Sequence, residues 1–120
     1  MKGLIVGFTR EQIAAYAEAS GDLNPIHLDD EFARSVGLPG VIAHGMLQMG
    51  LLARAIGEPR RLRRLSCRFV GMVRPGDTVT IRAEERDGSV QLTAVNQDGQ
   101  PVVSKAVAEL GPEPDDRRLD

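Results

Sequence analysis

The chain has 120 residues, of which 42% are hydrophobic and 27% charged, and its formal net charge at pH 7 is −2. This size predicts one domain, residues 1–110, and the polar, proline-containing end predicts a disordered tail at residues 111–120. The small negative charge and the 3% aromatic content argue against nucleic acid and membrane surfaces as partners. Because there is one cysteine, Cys67, and no apolar run long enough for a membrane span or signal peptide, we expect a cytoplasmic protein.

The chain starts with a short strand and a capped helix. Residues 4–6 are apolar and predict the strand. Thr9, followed three residues later by Gln12, predicts a capping box at a helix start. Ser20 and Gly21 predict the end of that helix, because glycine readily takes the left-handed conformation found there.

Two further helices are expected before the middle of the chain. The first is short, is capped by Asp29 or Asp30, and should bury Phe32 and Val36 before it ends at Gly37.

The second helix, residues 44–56, is the most apolar segment of the protein. Only Gln48 and Arg54 in it are strongly polar, so we expect it to be buried on almost every side. Gly50 should allow close packing against another backbone, and Gly57 should end the helix.

The second half of the chain alternates between apolar and polar residues, which predicts four consecutive antiparallel strands. Turns are expected at Pro75-Gly76-Asp77, Asp87-Gly88 and Asp98-Gly99. The predicted inner faces comprise Leu65, Cys67, Phe69, Gly71 and Val73, then Val79, Ile81 and Ala83, then Val90, Leu92 and Ala94, with residues 102–110 as the last strand. We therefore expect an α+β domain whose antiparallel sheet wraps around the long central helix, with exposed sheet edges that favour pairing with a second copy.

Most of the reactive side chains lie between Ser20 and Met49. The Asn24-Pro25 pair opposes helix, so Asp22 and His27 are expected on a loop, and Gly45 stands at the start of the long helix. A carboxylate and an imidazole can serve as general acid and base, and a helix N-terminal N–H can stabilise an oxyanion. Taken alone, the loop is also compatible with an Asx turn and a hydrogen-bonded histidine that have no catalytic role.

The segments Ser20-Gly21-Asp22, Asn24-Pro25-Ile26-His27, Asp29 and Ile42-Ala43-His44-Gly45-Met46 together resemble the hydratase 2 motif of (R)-specific enoyl-CoA hydratases and MaoC-like dehydratases. The run from Val36 to Gly50 is also similar to the catalytic subunits of 3-hydroxyacyl-carrier-protein dehydratases. The resemblance implies a hot-dog fold and Asp22, His27 and the Gly45 N–H as the catalytic groups.

The same resemblance implies a lyase of EC 4.2.1 type that reversibly hydrates trans-2-enoyl thioesters to (3R)-3-hydroxyacyl thioesters in fatty-acid metabolism. Its substrate would be carried by coenzyme A or an acyl-carrier protein, and no metal or other cofactor would be required. The implied assembly is a homodimer, with a heterodimer that includes a related subunit as the variant.

Three residues near the motif are further candidates for substrate binding, namely Asn24, His44 and Met46. Turn capping by Asn24 and a helix-entry hydrogen bond from His44 are the favoured alternatives, and Met46 would line the core or an acyl tunnel. A zinc site formed by His44 with the two catalytic side chains is conceivable, but it lacks a short ligand spacing.

A basic cluster follows the long helix and comprises Arg54, Arg60, Arg61, Arg63 and Arg64. Arg60, Arg61, Arg63 and Arg64 are candidate substrate-binding residues, because arginine pairs well with the phosphates of coenzyme A or with an acidic carrier protein. A solvated helix end and strand edge is the alternative interpretation.

Two other functions compete with hydration. A hot-dog acyl thioesterase is less favoured, because such enzymes often place a carboxylate on or near the central helix, and this helix has none. A non-catalytic acyl-thioester-binding subunit is less favoured, because it need not keep both Asp22 and His27.

Overall fold

An antiparallel five-stranded sheet and three α-helices make up residues 2–112, the part of the chain that the computed structural model describes. The elements are β1 (Lys2–Gly7), α1 (Arg10–Ser20), a 3₁₀ turn (Pro25–His27), α2 (Asp30–Ser35), α3 (Gly45–Ile56), a second 3₁₀ turn (Pro59–Arg61), β2 (Leu62–Phe69), β3 (Thr78–Arg86), β4 (Ser89–Val95) and β5 (Val103–Leu110). The predicted α+β class is confirmed. The tail predicted at residues 111–120 falls, from residue 113 onward, outside the described residues.

The strands lie in the order β1-β3-β4-β5-β2, so β2 and β1 form the two edges. β1 is longer than predicted and pairs with β3 along its whole length, from Lys2 opposite Ala83 to Gly7 opposite Thr78. β2 pairs with β5 and not with β3, the next strand in sequence. The chain therefore crosses the sheet between β2 and β3, and α3 packs against the inner face.

The start of α1 carries only half of the predicted capping box. Thr9 Oγ1 accepts a hydrogen bond from the Gln12 N–H at 3.0 Å, but Gln12 Oε1 is buried and has no partner among residues 2–112. Ile13 and Ala17 face the core, and Gly21 ends the helix with a φ of +80°, as its sequence predicts.

α2 begins at its predicted cap but faces the core with a different residue. Asp29 Oδ1 accepts hydrogen bonds from the N–H groups of Glu31 and Phe32. The expected burial of Phe32 and Val36 is wrong, because these side chains are 40% and 55% exposed and Ala33 is fully buried instead. This six-residue helix turns only Ala33 towards the core, and the larger side chains of Phe32 and Val36 face outward.

α3 is buried on one side only, so the expectation of burial on almost every side is wrong. Met46 is 63% exposed, and Gly50 and Arg54, four and eight residues later, are exposed on the same face. A Cβ added to Gly50 would meet nothing within 4 Å among the described residues, so close backbone packing does not explain this glycine. The buried face presents Gln48, Leu51, Leu52, Ala55 and Ile56 to the sheet. Within residues 2–112, no helix combines the length and apolar character that crossing a bilayer requires.

β2 ends at Phe69, four residues before the predicted end of its inner face. Lys105 on the paired strand has a φ of +51°, and the register of β2 against β5 shifts between Ser66 and Arg68. Such a bulge bends a strand, and pairing continues past it until Phe69 lies opposite Val103. Residues 70–74 then cross towards α3, where the Val73 carbonyl accepts a hydrogen bond from Ala43 N–H at 2.8 Å.

The predicted hairpin turn between β3 and β4 is confirmed. Asp87 and Gly88 both have positive φ, +54° and +81°, as a two-residue turn between twisted strands requires.

Candidate active site

The loop between α1 and α2 is held by short side-chain-to-backbone hydrogen bonds. Asp22 Oδ1 accepts from Asn24 N–H at 3.3 Å, and Asn24 Oδ1 accepts from Ile26 N–H at 3.2 Å. Asn24 therefore caps the 3₁₀ turn that ends at His27, as in the turn-capping alternative for this residue. These contacts fix the backbone on which Asp22 and His27 are carried.

His27 is oriented by a main-chain carbonyl. Its Nδ1 lies 2.7 Å from the Ile42 carbonyl oxygen, which can only accept, so Nδ1 carries the proton and the neutral ring has its lone pair on Nε2. That Nε2 atom is 3.9 Å from Asp22 Oδ2. The distance is too long for a direct hydrogen bond but can be bridged by a water or a substrate hydroxyl.

His27 and Asp22 differ in their access to solvent. The His27 side chain is 9% exposed, whereas the Asp22 side chain is 53% exposed. Asp22 thus lies on the solvent side of the imidazole, in contact with water.

His44 connects three elements without capping its own helix. Its Nε2 donates to the Asp22 carbonyl oxygen at 3.1 Å, and its ring stacks on His27 with centroids 3.7 Å apart and meets the edge of Tyr16 at 4.9 Å. His44 Nδ1 is buried and has no partner within residues 2–112. The side chain makes no capping bond to α3, so it holds the Asp22 loop in place instead of forming the expected helix-entry bond.

The N-terminus of α3 opens onto the same region. Within residues 2–112, the N-cap residue His44 makes no side-chain hydrogen bond to this turn, which leaves its first N–H groups available to a ligand oxygen. Gly45 lies under Phe69, and a Cβ at this position would be 3.0 Å from the Phe69 ring. Glycine is therefore the residue that lets Phe69 and an N–H donor share this space.

A cavity of about 380 Å³ joins these groups, and its wall is largely apolar. It is lined by His27, Ile42, Ala43, Gly45, Gln48, Phe69, Val70, Gly71, Met72 and Val73. His27 and Gly45 thus face one space. Sequence reasoning did not identify Gln48 as a site residue, although a single amide in the buried part of an apolar helix was an available signal.

The remaining candidates lie elsewhere. Met46 is largely exposed and does not line the cavity. The basic cluster follows the C-terminal end of α3, roughly 17 Å along the helix from Gly45 at 1.5 Å per residue. Within that cluster, Arg61 donates to Glu58 Oε2 and to the Gly111 carbonyl oxygen, which anchors the start of β2.

Asp30 fixes the segment that leads into α3. Its Oδ1 accepts from Val41 N–H at 2.8 Å, and its Oδ2 pairs with Arg10 at 2.7 Å. The Val41 hydrogen bond, helped by Arg10 and opposed by partial desolvation, lowers the pKa of the Asp30 carboxyl below its ordinary value of 3.8. The carboxylate thereby links α1 and α2 to the segment from Val41 to His44.

Asp22, His27 and His44 each offer one ligand atom within 4.8 Å of the others. Ligand atoms on a zinc ion are closer, about 3.4 Å apart, because each lies about 2.0–2.2 Å from the metal. The two imidazole planes are also inclined by only 22° in a stack, so their lone pairs do not converge on one point. The group is better suited to proton transfer than to holding zinc.

Residues 5–107 match the sequence model of a family described as "MaoC like domain". The chain is 38% identical over 104 residues to the "Peroxisomal hydratase-dehydrogenase-epimerase" of Neurospora crassa, a match that covers 85% of this chain and 12% of that protein. It is 31% identical over 112 residues to the "Probable enoyl-CoA hydratase 2" of Dictyostelium discoideum, covering 87% and 38%. It therefore spans well under half the length of both of these curated relatives.

A solved structure entitled "(R)-hydratase from A. caviae involved in PHA biosynthesis" superposes on the chain with a TM-score of 0.80. The sequence identity is 28%, and the superposition covers 92% of each chain.

Proposed function

The chain belongs to the MaoC-like domain family, and on that premise we propose that it reversibly hydrates trans-2-enoyl thioesters to (3R)-3-hydroxyacyl thioesters in fatty-acid metabolism. Its fold is the hot-dog fold expected from the motif, as the likeness to the (R)-hydratase structure shows. The activity is that of a lyase of EC 4.2.1 type.

One observation carries the proposal. His27 and the open N-terminus of α3 at Gly45 face one largely apolar cavity, and Asp22 lies 3.9 Å from His27. The thioester oxygen would accept a hydrogen bond from the Gly45 N–H, where negative charge develops in the transition state. The acyl chain would lie against the apolar wall, and a water would bridge Asp22 and His27.

The proton balance of this reaction suits the pair. Hydration takes one proton from water and delivers one to the α-carbon, so the pair starts and ends with the same number of protons. An ionised Asp22 beside a protonated His27, or a protonated Asp22 beside a neutral His27, supplies one base and one acid in either case. The Ile42 carbonyl keeps His27 Nε2 directed towards this exchange.

Thioester hydrolysis and thioester binding without chemistry remain the competing proposals. The helix α3 carries no aspartate or glutamate, and it presents the amide of Gln48 to the cavity. A nucleophilic or base carboxylate on the helix is therefore lacking, which favours hydration over a thioesterase reaction.

We further propose that the basic cluster binds the part of the substrate that lies far from the reacting carbons. Arg60, Arg63 and Arg64 are solvent-exposed, and arginine pairs with phosphate in a bidentate manner. Because the cluster is far from Gly45, it would contact the nucleotide end of coenzyme A or a carrier protein, and not the reacting carbons. Asn24 and His44 would act by holding the loop, whereas Met46, which is exposed and does not line the cavity, is given no role in substrate binding.

Assembly and location complete the proposal. We expect a homodimer, or a heterodimer with a related subunit, because apolar side chains such as Phe69, Val70 and Met72 are exposed beside the cavity. A cytoplasmic location is supported by the free thiol of Cys67; the Neurospora crassa relative is named as peroxisomal.

The test follows crotonyl-CoA in two channels, the enoyl absorbance and free thiol. The wild type should consume the enoyl group without releasing thiol, and the product should be the (3R) isomer by chiral chromatography. Asp22→Asn and His27→Ala should each lower kcat/KM by about 10²–10⁴-fold.

Asp29→Asn is the matched control for this experiment. It removes a carboxylate from the same loop, yet asparagine caps a helix as well as aspartate does, so α2 and activity should be kept. Thiol release would identify a thioesterase. A folded wild type that gives neither signal, alone or with a related subunit, would contradict the enzymatic proposal.

A further inference from the structure

Gln48 is a polar side chain enclosed by the apolar core. Only 7% of the residue is exposed, and its Oε1 atom has no hydrogen-bond partner among residues 2–112. A buried carbonyl oxygen without a partner destabilises a fold, whereas leucine or methionine would pack here without that cost. The proposed acid/base mechanism does not use this amide.

Gln48 borders two separate spaces inside the protein. It lies one helical turn after Gly45 and lines the active-site cavity together with His27. It also borders an internal void of about 10 Å³, close to the smallest space that holds one water. That void is otherwise lined by core side chains, namely Phe8, Leu51, Leu52, Val79, Ile81, Ala94, Val102 and Val103. Gln48 is thus the residue of α3 that separates the cavity from the core.

We propose that Gln48 limits the length of the acyl chain by closing the inner end of the cavity. This inference rests on the proposed function, since it assumes that the thioester oxygen is bound at Gly45. An acyl chain that extends from there along α3 reaches Gln48 after one turn. Longer chains would have to displace the Gln48 side chain from the volume that it fills, which is unfavourable in a packed interior.

The size of the effect follows from transfer free energies. Each methylene that enters an apolar pocket raises affinity about fourfold. Gln48 would keep the distal methylenes of a long chain out of the pocket. A smaller side chain at this position should therefore raise the preference for a long chain about tenfold or more. The residue is therefore a determinant of specificity and not of the chemical step.

The experiment compares kcat/KM for crotonyl-CoA and trans-2-decenoyl-CoA. The wild type should prefer crotonyl-CoA, and Gln48→Ala should raise the decenoyl-to-crotonyl ratio about tenfold or more. Gln48→Met keeps the volume without the amide and should stay within about threefold of the wild-type ratio. Gln48→Thr, a smaller cut, provides a second opening variant should Gln48→Ala unfold, as checked by circular dichroism.

Met49→Ala is the matched control, because Met49 is the next residue on α3 and lines neither space. It should leave the ratio unchanged. An unchanged ratio in both opening variants would overturn the inference. So would a Gln48→Met ratio as high as that of Gln48→Ala, since volume could then not be the cause.

Calorimetric binding of butyryl-CoA and decanoyl-CoA separates this inference from the proposed function. These saturated thioesters do not react with water at the α,β-position, so the chain-length limit should appear in their dissociation constants without turnover. Absence of hydration together with a shift of the binding ratio in Gln48→Ala would reject the activity and support the limit. Hydration of crotonyl-CoA with equal binding of both ligands by the wild type would reject the limit alone.

Discussion

Gly45 occupies the point on α3 at which a side chain would meet Phe69. A Cβ there would be 3.0 Å from the Phe69 ring, a tight contact that a shift of a few tenths of an ångström would relieve. Either the ring or the first turn of the helix would have to move. Because the proposed oxyanion donor is the Gly45 N–H itself, the movement would change the position of this donor relative to the reacting oxygen. A displacement of about 1 Å at such a site can cost about 10²-fold in rate, so a shift of a few tenths of an ångström should cost several-fold.

Gly45→Ala should therefore lower kcat/KM for crotonyl-CoA by about 3–10-fold while the protein stays folded. Gly50→Ala is the matched control on the same helix, where a Cβ meets nothing within 4 Å. This control should raise the free energy of unfolding by about 0.5–1 kcal/mol, because alanine is the better helix former, and should leave kcat/KM unchanged. Steady-state kinetics and urea unfolding measure both effects. Equal activity of the two variants would argue against a role for the Gly45 N–H.

At the scale of elements, Asp30 makes stability depend on pH. Since hydrogen bonding by Val41 N–H lowers the pKa of the Asp30 carboxyl in the folded state, the unfolded state binds its proton more readily than the folded state. The stabilisation is thus fully present above the ordinary value of 3.8 and is lost as pH falls through the lower folded value.

Asp30→Asn should accordingly lower the free energy of unfolding at pH 7 and flatten its decline in acid. Urea unfolding at several pH values between neutral and about pH 3 measures both. Glu31→Gln removes a neighbouring exposed carboxylate of α2 without affecting the Val41 contact, and should retain the wild-type decline. The interpretation fails if Asp30→Asn loses stability in acid as steeply as the wild type does.

The elements also show what a sequence can and cannot predict here. The start of α1 at Thr9 and the Asp87-Gly88 turn were predictable because both depend on the conformation of a few adjacent residues. The exposure of Phe32 and Val36 was not, since helical periodicity identifies an apolar face without saying what covers it. The bulge at Lys105 was not predictable either, because a lysine gives no signal for positive φ.

For the candidate site, the motif indicated the loop and the helix start but not the contacts between them. The resemblance to the hydratase 2 motif implied that the loop with Asp22 and His27 meets the helix start at Gly45. The carbonyl of Ile42 that orients His27, and the bond from His44 to the Asp22 backbone, depend on tertiary structure. The single amide on an apolar helix was a signal for Gln48, but the cavity that this residue borders is formed by tertiary structure.

At the scale of the whole molecule, one group of exposed apolar side chains lies where the cavity opens. Phe69, Val70 and Met72 are 46%, 54% and 52% exposed, at the end of the edge strand β2. An apolar patch beside an unpaired strand edge is a typical surface for association. A second copy placed there would also narrow the open side of the cavity.

The chain should therefore have twice its 13.0 kDa mass in solution, as light scattering after size exclusion can determine. Val70→Glu should shift this mass towards that of one chain, because it would bury a charge in the interface. Ile5→Glu, at the opposite edge of the sheet on β1, should not change the mass. A monomeric wild type at tens of micromolar would count against the dimer, unless a related subunit restores the doubled mass.

The main-chain contacts around His27 have a consequence for how such a site tolerates sequence drift. The Ile42 and Asp22 carbonyls that hold the two histidines, the Ile26 carbonyl that receives Ile42 N–H, and the Gly45 N–H are all backbone atoms. Substitution at positions 26 and 42 can change the side chain without deleting these atoms, provided the new residue keeps the packing. Only a few side chains are therefore positions at which a substitution would abolish the proposed reaction. Homologues could diverge widely around those positions while the reaction remains the same.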